Sequence, residues 1–245
     1  MNKDKVISFL WQHILQLLSL FILTFGVALS VRSALGSSVI TSIPLVMTMA
    51  GEVGMAPEIT LGDYTNIMNI LLVFCQIIVL RRKFERVQLF QLIIGFFFGF
   101  LLDVNMYLTS FLSFSTMMHQ LAAQLIGCTI LGFGIATEVR CGSVTMPGEG
   151  LPVAISRLLG IPFAKTKIFV DISLVTIAVI LGFIFFGSWQ WNAVGIGTLF
   201  AMIYVGMVVR AISGQILWFD KLLCYRPGFR RYVYGLARFI KGSKY

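Results

Sequence analysis

Six long apolar runs dominate the sequence and restrict the chain to a membrane fold. They cover residues 8–31, 63–80, 87–107, 117–137, 166–187 and 190–213. A helix needs about 20 apolar residues to cross a hydrocarbon core of ~30 Å, so each run predicts one transmembrane helix. With 58% hydrophobic and 12% charged residues, the chain has little left for a soluble domain. We therefore predict an all-α polytopic membrane protein that forms a single membrane domain over residues 1–245.

The first and fourth runs end in nearly the same eight residues. Residues 25–32 read FGVALSVR and residues 133–140 read FGIATEVR. When the chain is aligned to itself at this spacing, 10 of the 21 positions that end at each arginine are identical. Shared hydrophobicity alone would not align a glycine, an arginine and two glutamines, so the pattern indicates an internal repeat. We predict one repeat over residues 8–107 and a second over residues 117–213.

Three spans in each repeat place the second half of the chain upside down relative to the first. Basic residues test this orientation, because they concentrate in cytoplasmic loops. With a cytoplasmic N-terminus, 18 of the 19 lysines and arginines fall on the cytoplasmic side, and Arg32 is the exception. The sequence thus predicts six transmembrane helices arranged as a 3+3 inverted repeat.

Each repeat also contains an apolar segment that is too short to span. After the arginine that ends its first span, a stretch rich in glycine, serine and threonine leads to a proline and about two helical turns. These features predict short helices over about 43–50 and 151–159, with Pro44 and Pro152 in their first turns. Irregular backbone at membrane depth is tolerated only next to protein or water. We therefore expect both short helices to re-enter from opposite faces, with their N-termini inside the protein.

Inverted repeats with interrupted helices are a common plan of secondary transporters, in which the solute site lies near the midplane between the halves. The candidate binding residues are polar or charged side chains beside the two short helices, or at equivalent depths in the second and fifth spans. They are Arg32, Ser37, Ser38, Thr41, Asn69, Arg140, Thr145, Glu149 and Asp171.

Each charged candidate also has a structural interpretation. Arg32 and Arg140 could cap the C-terminal ends of helices, where cations are favoured. Glu149 could bind a coupling proton or a cationic group of the solute, or it could complement the N-terminus of the second short helix or pair with Arg140. Lys167 lies four residues before Asp171 on the same helical face and could neutralise it. The sequence leaves these alternatives open.

Other polar residues in the spans have simpler expected roles. Glu138 lies two residues before an arginine that ends a span, so we expect it at the membrane interface. Gln16 and Gln124 occupy equivalent positions in the repeat and favour hydrogen bonds between the first and fourth spans. The two histidines, His13 and His119, have no acid or cysteine at ligand spacing, so we predict neither a metal site nor a cofactor.

The glycine-rich blocks with their short helices resemble the YczE/YyaS/YitT group of small bacterial membrane proteins. Members often have GPGDG where this chain has MPGEG at 146–150, so Glu149 matches an acidic position. The first block, ALGSSVITSIP at 34–44, is similar to the group's GLGTTPISS form. The resemblance implies a multi-pass protein of the bacterial plasma (inner) membrane, and the distribution of basic residues places both termini in the cytoplasm. It implies no particular substrate.

The sequence favours transport over catalysis. It contains no P-loop and no familiar hydrolase motif, so we do not expect an enzyme. We predict a small secondary transporter or channel-like permease. The arginine pair and the inward helix N-termini favour a small anion or a carboxylate-bearing metabolite as its solute.

The C-terminal segment, residues 214–245, supports an alternative function. It is basic and amphipathic, which favours binding to the anionic inner leaflet of the lipid bilayer and disfavours a role with nucleic acid. The alternative is therefore a membrane-embedded regulator or assembly factor that docks a partner through this tail. Glycines in the spans would also permit a homo-oligomer.

Overall fold

The computed structural model describes residues 3–141 and 144–223, and every regular element within these ranges is helical. The helices are α1 (Lys3–Arg32), α2 (Val39–Glu52), α3 (Leu61–Leu80), α4 (Phe90–Leu108), α5 (Met117–Cys141), α6 (Pro147–Leu159), α7 (Phe163–Phe186), α8 (Ile196–Ser213) and α9 (Leu217–Leu223). Two 3-10 turns, Arg81–Lys83 and Arg86–Leu89, connect α3 to α4. The predicted tail beyond Leu223 lies outside the described residues.

Six of these helices, α1, α3, α4, α5, α7 and α8, are long and apolar enough to cross a membrane. They overlap the six predicted runs, which confirms six spans, although the last one begins at Ile196 and not at residue 190 as predicted. Large apolar side chains such as Phe74, Phe96, Phe100 and Ile180 stand exposed on their outer faces. A soluble monomer rarely exposes contiguous apolar surface of this kind. The chain is therefore a membrane-spanning helical protein.

The two helices that carry the repeated FG…R pattern, α1 and α5, are the most buried of the six and pack against each other. Their glycines lie at the point of closest approach. A Cβ atom on Gly26 would overlap the backbone nitrogen of Leu131, and a Cβ atom on Gly134 would lie 2.5 Å from the Cα of Leu23. In the repeat, Gly26 corresponds to Gly134 and Leu23 to Leu131. Both repeats need a glycine at this position because the backbones of α1 and α5 meet there.

The short helices α2 and α6 each pack against the second span of both halves of the chain. Helix α2 lies mainly on α7 and also on α3, while α6 lies mainly on α3 and also on α7. Val39, at the start of α2, belongs to an apolar cluster with Val170 and Leu174 from the middle of α7. Val46, further along α2, clusters instead with Ala178 towards the end of α7. Helix α2 therefore begins alongside the middle of a membrane-spanning helix.

The predicted starts of the short helices are wrong by several residues. Both prolines lie at the sixth residue of their helices, since α2 begins at Val39 and α6 at Pro147. A proline at this position has no N–H for the carbonyl four residues earlier. The carbonyl groups of Ile40 and Gly148, each in the first turn of its helix, therefore receive no α-helical hydrogen bond.

Candidate functional site

The first turns of α2 and α6 touch inside the helix bundle. The side chain of Ile40 occupies the space in which a Cβ atom of Gly148 would stand. These are the same two residues whose carbonyl groups are released by the prolines that follow them. The contact defines a candidate site, which we call the tip contact: the N-termini of α2 and α6 and the side chains around them.

An ionic cluster lies beside the tip contact on the α6 side. The ammonium nitrogen of Lys167 lies 3.3 Å from Oε1 of Glu149 and 2.8 Å from Oδ1 of Asp171. The predicted pairing of Lys167 with Asp171 is therefore confirmed, and Glu149 joins it. The side chains of Glu149 and Lys167 are 24% and 29% exposed, so the cluster is not sealed within the protein.

A pair of buried glutamines lines the other flank of α6, and the sequence interpretation missed both. Nε2 of Gln76 lies 3.1 Å from Oε1 of Gln91 and 3.3 Å from the carbonyl oxygen of Pro147. A Cβ atom on Gly150 would lie 2.5 Å from the Gln91 amide oxygen, so the glycine lets the glutamines approach the helix. Their signal in the sequence is weak, because each is a single amide in or beside an apolar run.

The candidate hydroxyl residues before and within α2 lie close together. The hydroxyl oxygens of Ser38 and Thr41 are 2.7 Å apart, and the Ser37 hydroxyl donates to the carbonyl of Ala193 at 3.1 Å. All three serine and threonine side chains are buried. The bond from Ser37 holds the irregular segment before α2 against the turn that precedes α8, and the bond between Ser38 and Thr41 is local to the start of α2.

Asn69 and Thr145 lie away from the ionic cluster's contacts. Asn69 is buried between α3 and α4, where its amide nitrogen lies 3.3 Å from the carbonyl oxygen of Gly95. Thr145 is half-buried just before the start of α6. The structure thus brings Glu149 and Asp171 together through Lys167, whereas Asn69 contacts the backbone of α4.

The two arginines of the repeat make equivalent contacts with helix ends. The guanidinium of Arg32 donates to the carbonyl of Met106 at 2.8 Å, in the last turn of α4. The guanidinium of Arg140 donates to the carbonyl of Ser213, the last residue of α8, and forms an ion pair with Asp220 in α9. The last carbonyl groups of a helix have no partner within it and carry partial negative charge. The capping interpretation is therefore supported for both arginines, and the alternative pairing of Arg140 with Glu149 is wrong.

Loss of the Arg140 contacts should release the segment that carries α9. In a background without the four native cysteines, Ile216→Cys is expected to react slowly with a thiol reagent, because Ile216 is 4% exposed. Adding Arg140→Gln should speed this reaction at least about tenfold, since each charge-assisted hydrogen bond contributes roughly 1.5–3 kcal/mol. Arg210→Gln, which removes an exposed arginine of α8, is the matched control. Equal rates in the two variants would contradict the capping role.

Glu138, which the sequence predicts at the membrane interface, is buried within the protein at 5% exposure. It lies on α5, with the side chain of Gln16 facing it from α1 and the carboxylate of Glu149 close enough to repel it. Its neighbour in sequence, Arg140, suggested a membrane surface, but that arginine is held by α8 and α9. The region around the start of α6 thus contains three carboxyl groups and one lysine.

Comparisons with known proteins give a family but no activity. A sequence profile described as a family of unknown function, DUF6198, matches residues 10–214. The uncharacterized protein YyaS of Bacillus subtilis (strain 168) is 24% identical over 195 residues, which cover 78% of this chain and 87% of that protein. This confirms the predicted resemblance to a YyaS-type family. No solved structure gives a significant match.

Proposed function

Because the chain belongs to DUF6198, a family of unknown function, its activity has to be inferred from its own geometry, and we propose a small secondary permease. Its solute site lies at the tip contact, where the N-termini of α2 and α6 meet inside a membrane-spanning bundle. The observation that carries this proposal is the contact between Ile40 and Gly148 beside the cluster of Glu149, Lys167 and Asp171. Secondary transporters build their sites from interrupted helices in this way.

The packing pattern supports an inverted 3+3 repeat with re-entrant α2 and α6. Helices α1 and α5 pack on each other, and the contact of α1 with α4 has its equivalent in that of α5 with α8. The contact of α3 with α6 is matched by that of α7 with α2, and α2 with α3 by α6 with α7. One pair departs from this pattern, since α3 packs closely on α4 while α7 and α8 form no comparable contact. The second and third spans are therefore packed differently in the two halves.

The acidic side chains at the site favour a cationic solute over the anion predicted from the arginines and the inward helix N-termini. Both arginines donate to helix C-termini, whereas Glu149 and Asp171 share a single lysine. The ion pairs of Lys167 support this choice, because both carboxylates already hold a positively charged nitrogen at 2.8 to 3.3 Å.

The membrane orientation belongs to the same proposal. We place the end of the bundle at which α1 begins and α5 and α8 end in the cytoplasm of a bacterial cell, because basic residues favour that side. Arg32 then lies at the outer end, where its contact with α4 accounts for its exceptional position. The partners of the chain are the lipid bilayer and the solute.

Uptake into proteoliposomes tests the proposal. Radiolabelled choline and putrescine serve as cationic probes, and succinate and phosphate as anionic probes. We expect uptake of a cationic probe above that of protein-free liposomes. The double variant Glu149→Gln/Asp171→Asn should reduce this uptake at least about tenfold, because charge-assisted hydrogen bonds contribute roughly 1.5–3 kcal/mol each. Asp63→Asn, at an exposed acid of α3, is the matched control.

The opposite outcomes separate the alternatives. Uptake of succinate or phosphate that survives the double variant would make the cationic assignment wrong. A chain truncated after Leu223 should keep its uptake if the protein is a permease. A regulator that docks a partner through its tail would lose its cellular function on truncation and show no uptake with any probe.

A further inference from the structure

The repeat places an equivalent pair of residues at each end of the α1 and α5 packing. At the end near Arg32, the pair is Gln124 and Ser30. The amide oxygen of Gln124 accepts from the hydroxyls of Ser30 at 2.9 Å and Ser33 at 2.8 Å. Its amide nitrogen donates to the carbonyl of Gly197 at 2.8 Å. This pair is neutral, and both polar atoms of the glutamine side chain are hydrogen-bonded.

At the other end, the same repeat positions are Gln16 and Glu138. Here Glu138, which is only 5% exposed, takes the place of the serine, so a buried carboxyl group replaces a buried hydroxyl. Among the residues whose side chains are described, no lysine, arginine or histidine forms an ion pair with Glu138. One end of the α1 and α5 packing therefore has an ionisable residue at the repeat position where the other end has a neutral one.

The charged groups around Glu138 do not neutralise it. Glu149, from α6, has the same sign and lies within electrostatic range. Lys167 is held by Glu149 and Asp171, and Arg140 on the same helix is held by α8 and by Asp220 of α9. A buried carboxylate without a cation is strongly disfavoured, and the usual response is to bind a proton.

We infer that Glu138 carries a proton in the folded protein and is the proton-binding residue of the permease. This role in coupling rests on the proposed function, although the protonation itself does not. When a cation binds beside Glu149, the negative field at Glu138 weakens, so the proton leaves more easily. The region then alternates between one proton on Glu138 and one monovalent cation beside Glu149. This is exchange of a proton for a cationic solute, with charge balanced in each direction.

Infrared spectroscopy of the full-length protein in lipid nanodiscs tests the protonation without any solute. We expect the C=O stretching band of a protonated carboxyl group at neutral pH, and its loss in Glu138→Gln. Glu58→Gln, at an exposed acid, is the matched control and should keep the band. Absence of the band from the unmodified protein, or its persistence in Glu138→Gln, would overturn the inference. If Glu138→Gln does not fold, Glu138→Ser recreates the neutral pairing found at the opposite end and replaces it.

Proteoliposomes with a trapped pH-sensitive dye test the coupling, with choline as the probe because it has no proton of its own. Choline entry should drive proton movement in the unmodified protein, and Glu138→Gln should abolish the pH signal while radiolabelled choline still exchanges. Choline transport without a pH signal in the unmodified protein would overturn the coupling role and leave the permease standing. If the infrared band is present but choline is not transported, the protonation of Glu138 is supported and choline is not supported as a solute.

Discussion

Gly26→Ala is expected to lower the free energy of unfolding by about 3 kcal/mol, the upper end of the cost of overpacking. The added methyl group would overlap the backbone nitrogen of Leu131 and lie 2.7 Å from the carbonyl oxygen of Gly127. Backbone atoms cannot rotate away as a side chain can, so α1 and α5 would have to separate. Because these are the two most buried spans, the change should loosen the centre of the bundle.

The repeat supplies a second variant and the structure supplies the control. Gly134→Ala should have a similar effect, because its Cβ atom would lie 2.5 Å from the Cα of Leu23. Gly206→Ala, within α8, meets no atom within 4 Å and should be neutral or slightly stabilising, since alanine favours a helix by roughly 1 kcal/mol over glycine. Thermal unfolding of the three variants in detergent is the measurement. Equal midpoints for Gly26→Ala and Gly206→Ala would show that the crossing is less close than we describe.

The sequence was sufficient to predict the spans because their signal is cumulative. Twenty apolar residues in succession leave little alternative to a membrane helix. The ends of the helices were harder, as α5 shows: it continues to Cys141, beyond the predicted end at residue 137. The additional turn contains Glu138 and Arg140, which look interfacial by composition but are held by neighbouring helices. Hydropathy along a chain cannot tell a charge in water from a charge held by protein.

The site was only partly predictable for a similar reason. The pairing of Lys167 with Asp171 followed from helical spacing within one element, and it is confirmed. The arginines could not be assigned, because both bind backbone carbonyls of other helices and a carbonyl group has no signature in a sequence; the further partner of Arg140, Asp220, lies 80 residues away. The capping groups of Arg32 and Arg140 belong to residues 106 and 213. Contacts between side chains of one helix are predictable, whereas contacts with distant backbone require the fold.

Lys167→Met is expected to lower the free energy of unfolding by about 3 kcal/mol, the second large effect that we predict. This value is the lower end of the cost of breaking a buried ion pair. The substitution keeps a long side chain but leaves Glu149 and Asp171 without their common cation. The lower end applies because the side chains keep 13% to 29% exposure, which moderates the repulsion between the carboxylates. Thermal unfolding in detergent measures the loss.

A double variant separates lost charge compensation from lost packing. Lys167→Met/Asp171→Asn removes one of the carboxylates and should recover most of the stability, because the remaining Glu149 has no like charge in the cluster to repel it. Lys165→Met, at a nearby lysine with an exposed side chain, is the matched control and should change little. If the double variant is as unstable as Lys167→Met alone, the lysine stabilises α7 by its packing. If it recovers, the cluster is an acidic site in which Lys167 occupies the place of a solute cation. Added choline should then stabilise Lys167→Met more than the unmodified protein, because a ligand that binds only the folded state raises its stability.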